Sequence, residues 1–275
     1  MNQPVEPFRI IGNLYYVGAN DVTSFLIATP EGHILIDGGF EETVPLIRSS
    51  VARLGFELTD IRILLNSHAH IDHAGGLARI KELTGAKLVA SEFDAPQLER
   101  GGRGDDILGD AAAFEPVAVD RRIEDGDSVE LGGTKLTARV TPGHTRGCTS
   151  WTMRIEEGGR SYLAVSICSL SILPGTKLLE DPTYPGIAED FSRSLEILKA
   201  LPCDVFLAAH AGFFRMDEKR ARLDAGVRPN PFIDRAGYRA FLERAEKRLA
   251  ERLVRESPGR TLRQKRSEPV APGVE

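Results

Sequence analysis

Asn66-Ser67-His68-Ala69-His70-Ile71-Asp72-His73-Ala74-Gly75-Gly76 is the stretch on which the reading of this chain turns. Three histidines fall within six positions, with an aspartate between them. Imidazole nitrogen and carboxylate oxygen are donors that zinc accepts at about 2.0–2.2 Å. Four such donors on one short loop crowd a single tetrahedral ion. In extended chain, residues 68 and 70 project to the same side. Residues 72 and 73, at the turn into a helix, face a second point close by. The spacing therefore predicts two metals side by side.

Each metal needs a further ligand, and two more histidines stand where strands end. His144 lies in Thr141-Pro142-Gly143-His144-Thr145, after the strand Leu136 to Val140. His210 follows the apolar run Val205 to Ala209. Loops at strand ends are where a scaffold presents functional groups. His33 precedes a strand, has no partner in the pattern, and reads as an exposed polar residue.

Outward from the motif, the chain alternates strands and helices. Leu14 to Val17, Val22 to Ala28 and His33 to Ile36 read as an antiparallel meander, with a turn at Thr29-Pro30-Glu31-Gly32. Glu41 to Leu54 carries a helical period that stops at Gly55. Ile61 to Leu65 is a buried strand running into the motif, Ala74 to Leu83 a helix leaving it, and Lys87 to Ala90 a strand. Glu99 to Val117 is a long loop rich in glycine and aspartate, a length usually tied to function or mobility. Hairpins follow over Gly132-Gly133 and over Glu157-Gly158-Gly159. Then come a helix from Ile187 to Leu201, a strand from Val205 to Ala208 and an amphipathic helix from Tyr238 to Arg255. The pattern predicts a single α/β domain over residues 1–256, two packed β-sheets with helices outside. Residues 257–275, with basic residues from Arg260 to Arg266, read as a disordered, solvated tail.

Composition removes other classes. A net charge of −5 gives no electrostatic reason for a nucleic-acid partner. No apolar run approaches the ~20 residues that span a bilayer. The first residues lack a basic region followed by an apolar one, so no signal peptide is read; a cytoplasmic protein and a mature exported form stay equally open. Cys148, Cys168 and Cys203 are odd in number and lack CxxC spacing, so neither a disulfide framework nor a cysteine-rich zinc module is readable. Neither G-x-S-x-G nor S-x-x-K occurs, which leaves a serine acyl-enzyme without support.

The motifs resemble the metallo-β-lactamase superfamily, and within it class B β-lactamases of subclass 3. The likeness is carried by Glu6-Pro7-Phe8, Gly12-Asn13-Leu14-Tyr15, Ile36-Asp37-Gly38-Gly39, the residue 66–76 stretch, Thr141 to Thr145, Gly147-Cys148-Thr149-Ser150-Trp151 and Leu201 to Val205, and spans roughly residues 6 to 250. It implies a four-layer αβ/βα sandwich: two mixed sheets face to face, helices outside, and the site at one edge. It implies two Zn2+, with His68, His70 and His144 on the first and Asp72, His73 and His210 on the second. It also implies hydrolysis of the β-lactam amide by a metal-bridging hydroxide held by Asp72, a small-molecule substrate, a monomer free of membrane, and work in the periplasm that confers antibiotic resistance. Ser169 and Ser171 match serines that bind the β-lactam carboxylate.

Related hydrolases such as glyoxalase II carry an aspartate bridging both metals at the strand end after the fourth histidine. Here that stretch reads Ser166-Ile167-Cys168-Ser169-Leu170-Ser171, without one. This favours the lactamase branch over a superfamily hydrolase of a lactone or thioester. A metal-binding protein with lost chemistry is disfavoured, because all six ligand positions are filled. Cys168 matches a zinc-ligating cysteine of subclass 1 but is read as a small residue at a strand end. Cys203 has no later cysteine to pair with, as its counterpart has in some members. Asp37 is a candidate to orient an imidazole from behind, beside an ordinary turn role. Ile107, Leu108 and Phe114 are candidates to touch substrate from a flap over Glu99 to Phe114.

Overall fold

The computed structural model describes residues 2–257, so the predicted tail lies almost wholly outside the described residues. Four short strands open the chain as an antiparallel meander: β1 (Phe8–Ile11), β2 (Leu14–Tyr16), β3 (Phe25–Thr29) and β4 (Gly32–Ile36). Helices α1 (Val44–Arg53), α2 (Ile71–Ala74), α3 (Leu77–Thr84) and α4 (Ala95–Glu99) then alternate with β5 (Ile61–Leu65), β6 (Lys87–Ser91) and β7 (Arg121–Ile123). The last three strands add parallel to β4, and all seven lie in chain order in one sheet. The second sheet comprises β8 (Ser128–Leu131), β9 (Thr134–Val140), β10 (Thr149–Glu157), β11 (Arg160–Ile167) and, after helix α5 (Ile187–Ala200), β12 (Val205–Ala208). Its neighbours are antiparallel except β11 with β12. Helices α6 (Met216–Asp224) and α7 (Arg235–Glu256) complete the chain.

The burial of each strand follows from its place. Strand β12, parallel to β11 at the edge of its sheet, is apolar and buried at every position, whereas β5, inside the parallel part of the first sheet, is apolar except for the exposed Arg62. Strand β9 alternates, with Leu136, Ala138 and Val140 turned inward and polar residues between them. Between the sheets sits one core around Tyr16, Phe25, Trp151 and Phe206; the apolar faces of α5 and α7 extend it behind the second sheet. Ile47 and Val51 of α1 and Leu77 and Ile80 of α3 cover the outer face of the first sheet over Leu64 and Leu88. This is the expected sandwich of two mixed sheets with helices outside. Trp151 also donates its indole N–H to the carbonyl of Asn66 across the sheets, at 3.2 Å.

The structure departs from the sequence reading in several places. The helix predicted over Ala74 to Leu83 is two pieces, broken at Gly75-Gly76. A Cβ on Gly76 would stand 2.3 Å from the carbonyl oxygen of Gly38, so glycine is required for this close approach of two backbones. His33 is not exposed: it is buried with its ring edge against Phe56, at 4.8 Å between centroids. The strands β1 and β7 and the helices α4 and α6 were not legible; α6 buries only Met216 and Lys219 and so carries no apolar stripe. Cys148 and Cys168 form a disulfide, joining the entry of β10 to the exit of β11, where no bridge was read from the sequence. Cys203 is buried and free. Among the described residues, no helix is long and apolar enough to cross a membrane.

The bridge closes a loop with a sequence separation of 20 residues. Chain-entropy arguments assign such a crosslink roughly 3 kcal/mol. The double variant Cys148→Ala, Cys168→Ala should therefore lose about that much stability, read from the midpoint of urea unfolding; an unchanged midpoint would contradict it.

Candidate metal centre

The carboxyl ends of β4, β5 and β6 share one edge of the first sheet, because these strands run parallel. The carboxyl ends of β9, β11 and β12 share the facing edge of the second, because β9 and β11 both lie antiparallel to β10 and β12 runs parallel to β11. The residues that follow these ends are Asp37, His68, Asp94, His144, Ser169 and His210. Parallel strands gather functional groups at their carboxyl ends. The geometry here does so from both sheets at once.

Three donors, one each from His68, His70 and His144, lie within 4.8 Å of one another; so do one each from His68, Asp72 and His73. His210 joins the second group, with its Nε2 3.3 Å from Nε2 of His73 and 3.5 Å from Oδ2 of Asp72. All six predicted ligand residues therefore meet at one place. The donor set suits zinc: nitrogen from three imidazoles on one side, two imidazoles and a carboxylate on the other. Nε2 of His68 is buried without any hydrogen-bond partner, a costly arrangement for a polar atom unless a cation takes its lone pair.

Most of these rings are held from behind. Nδ1 of His68 meets the hydroxyl of Ser67 at 3.0 Å, and Nδ1 of His144 meets the carbonyl of Ser171 at 2.8 Å. Nδ1 of His73 faces Oδ2 of Asp37 at 3.2 Å, and Nδ1 of His210 faces Oδ2 of Asp21 at 3.3 Å. In each case the other nitrogen is left for the cluster, which is how protein partners fix the tautomer of a metal-binding histidine. Asp37 thus occupies the orienting position proposed for it. It also accepts from the amide and hydroxyl of Ser67 at 2.7 and 2.6 Å and from the Asn66 amide at 3.2 Å.

Asp21 and Asp94 carry no motif and were missed. Asp21 belongs to a segment that was predicted to begin strand β3 at Val22. It crosses between the sheets instead: Val22 pairs with His210, and Thr23 donates to the carbonyls of Ala208 and Ala209 at 2.9 and 3.1 Å. Asp94 is fully buried and accepts from the amide of Ala69, the hydroxyl of Thr145 and the amide of Gly147 at 3.0, 2.8 and 2.8 Å. It so joins the loop of His70 to the loop of His144. A Cβ on Gly147 would stand 2.5 Å from the amide nitrogen of Asp94.

The remaining predicted residues are placed differently from one another. Ser169 is buried, and its hydroxyl accepts the Ser171 amide at 3.2 Å. Ser171 is partly exposed at the site. Ile107 lines a groove of about 350 Å³ together with Phe93, His144, Arg146 and Tyr184. Leu108 does not border that groove. Phe114 is core, packed over the Gly101-Gly102 backbone, and does not contact the groove either.

A family model described as the metallo-beta-lactamase superfamily matches residues 17–158. The metallo-beta-lactamase FEZ-1 of Legionella gormanii is similar with a TM-score of 0.92 at 44% identity, covering 94% of this chain and 99% of that one. BJP-1, a subclass B3 metallo-beta-lactamase of Bradyrhizobium japonicum, gives 0.88 at 38% identity, over 94% and 97%. By sequence, the chain is 28% identical to the hydroxyacylglutathione hydrolase of Maricaulis maris over 82% of this chain and 73% of that one. It is 42% identical to the enzyme of that name from Hyphomonas neptunium, over 50% of this chain and 43% of that one.

The two halves of the centre differ in their protons. Burial, then the neighbouring histidines, push His68 well below the ordinary imidazole range and His144 down to about 3. Both are neutral at pH 7 and ready to ligate. His73 is the reverse: burial opposes its charge, but the carboxylates of Asp72 and Asp37 outweigh it and push it up to about 10. Burial opposes the charge of Asp72 too, yet His73 holds its carboxyl well below the usual range. A metal entering the second group must displace the proton of His73. Calorimetry between pH 6 and 8 should show affinity for the second group rising about tenfold per pH unit, with one proton released from His73. An affinity for that group that stays flat over this range would contradict the assignment.

Proposed function

The chain belongs to the metallo-beta-lactamase superfamily, and from that premise we propose that it hydrolyses the amide bond of β-lactams with two zinc ions. His68, His70 and His144 would hold one, and Asp72, His73 and His210 the other. Zinc supplies a Lewis acid that lowers the pKa of water to about 7. Asp72 is partly exposed and is held ionised beside His73, and it would accept a hydrogen bond from the attacking water and aim it. Ser171, whose backbone carbonyl meets His144, would take the substrate carboxylate with its hydroxyl, and Phe93, Ile107 and Tyr184 would offer apolar walls.

The observation that carries the choice of substrate is the end of β11. Thioester hydrolases such as glyoxalase II place a bridging aspartate there. This chain has Cys168, whose sulfur is spent on Cys148. The likeness to solved metallo-beta-lactamases along nearly the whole chain supports the same reading. A second reading, hydrolysis of a glutathione thioester, is favoured by the names of the sequence relatives. The disulfide supports an oxidising compartment such as the periplasm, where such an enzyme confers resistance to antibiotics. One chain supplies all six residues, which supports action as a monomer.

Turnover of a carbapenem and of a chromogenic cephalosporin should need zinc and vanish on chelation. Faster cleavage of S-lactoylglutathione, with neither lactam opened, would move the chain to the second reading. Asp72→Asn keeps the shape and removes the charge; it should lower kcat for the lactam by roughly 10²–10⁴-fold.

A further inference from the structure

His70 is the ring whose outer partner is still to be named. Its Nε2 is buried with no hydrogen-bond partner, and Oδ2 of Asp105 lies 3.6 Å away, just beyond hydrogen-bond reach. In His68, His73, His144 and His210, the nitrogen beside a protein acceptor is the outer one and the other serves the cluster. Applied to His70, this leaves Nδ1 for the metal and makes Nε2–H a buried donor in need of an acceptor.

We propose that Asp105 is a positioning residue for His70: it accepts the Nε2 proton, fixes the tautomer that ligates through Nδ1, and ties the loop over the groove to the first metal. Its other oxygen, Oδ1, already accepts from the amides of Ile107 and Leu108 at 2.8 and 2.7 Å. One carboxylate therefore shapes the turn that carries Ile107 into the groove and faces a ligand of the centre. The next residue repeats the link more weakly. Asp106 accepts from Arg146 at 2.9 Å, and Arg146 lies over the ring of Tyr184 at 4.5 Å, two positions after His144. Asp106 touches no histidine of the cluster, so it separates loop anchorage from ligand orientation.

This inference rests on the metal-centre reading and is indifferent to which bond the enzyme opens. The test is spectrophotometric titration of the metal-free protein with Co2+, for wild type, Asp105→Ala, Asp105→Asn and Asp106→Ala. Loss of an outer partner weakens metal binding about 10–100-fold. Asp105→Ala should weaken the first cobalt by that factor. Asp105→Asn, whose side-chain carbonyl still accepts Nε2–H, should recover most of it, and Asp106→Ala should match wild type. Tight first-cobalt binding by Asp105→Ala overturns the proposal. An equal loss in Asp105→Asn overturns it by marking Asp105 as a direct ligand, and an equal loss in Asp106→Ala by marking loop order as the cause. A wild-type protein that takes up no cobalt overturns the metal centre, and this inference with it.

Discussion

The buried carboxylate of Asp37 is the contact on which the site depends. It accepts three hydrogen bonds from Asn66 and Ser67 and faces His73 with one of its oxygens. It thereby welds the end of β4 to the end of β5 at the point where the chain enters the histidine cluster. Its own backbone sits at φ 61, a conformation disfavoured for a residue with a side chain. Such local strain persists where the surroundings over-determine it, and the surroundings here are four polar contacts and the backbone bond from Gly38 to His73. A carboxylate left in that place without its partners would be expensive, because a buried charge must be paired and hydrogen-bonded. The strain and the charge are both stabilised by the contacts that build the centre.

The second structural condition is that two sheets packed face to face bring the carboxyl ends of their strands to one shared edge of the sandwich. Neither sheet carries a complete group. The first sheet supplies His68, His70, Asp72 and His73, and the second supplies His144 and His210. Four fastenings help hold the edges in register: Trp151 to Asn66, Thr149 to Ser67, Asp94 to Thr145 and Gly147, and the segment at Thr23 to Ala208 and Ala209. Each runs through hydrogen bonds in a buried setting, where they are strong and costly to leave unmade.

What the sequence made legible is what local pattern encodes. His68, His70, Asp72 and His73 crowd one turn, His144 follows the alternating strand Leu136 to Val140, and His210 follows an apolar run that reads as a buried strand. The partners of those rings were less visible. Asp21, Asp94 and Asp105 sit in segments without periodicity, and a carboxylate reveals its role only once the loop that bears it has landed. Asp37 was the exception, because it closes a strand beside Gly38-Gly39. The disulfide left a signal that went unread: Cys148 and Cys168 lie ten residues either side of Gly158, at the tip of a hairpin whose register brings them across from each other. Ser169 and Phe114 show what pattern does not encode: Ser169 is buried and accepts a local hydrogen bond, and Phe114 packs in the core.

The distribution of donors along the chain has a thermodynamic consequence. Residues from Asp21 to His210 must be in place before either trio or its supports exist, and they belong to both sheets. An unfolded or half-folded chain offers a metal ion the His68–His73 stretch without His144 or His210. The ion therefore binds the native state more tightly, and the difference in binding free energy adds to the stability of the whole molecule instead of one loop. At a hundredfold excess over its Kd, such a ligand contributes about 2.7 kcal/mol per site. The metal in this arrangement is also a clasp between two halves of the chain, and its supply sets how long the fold endures.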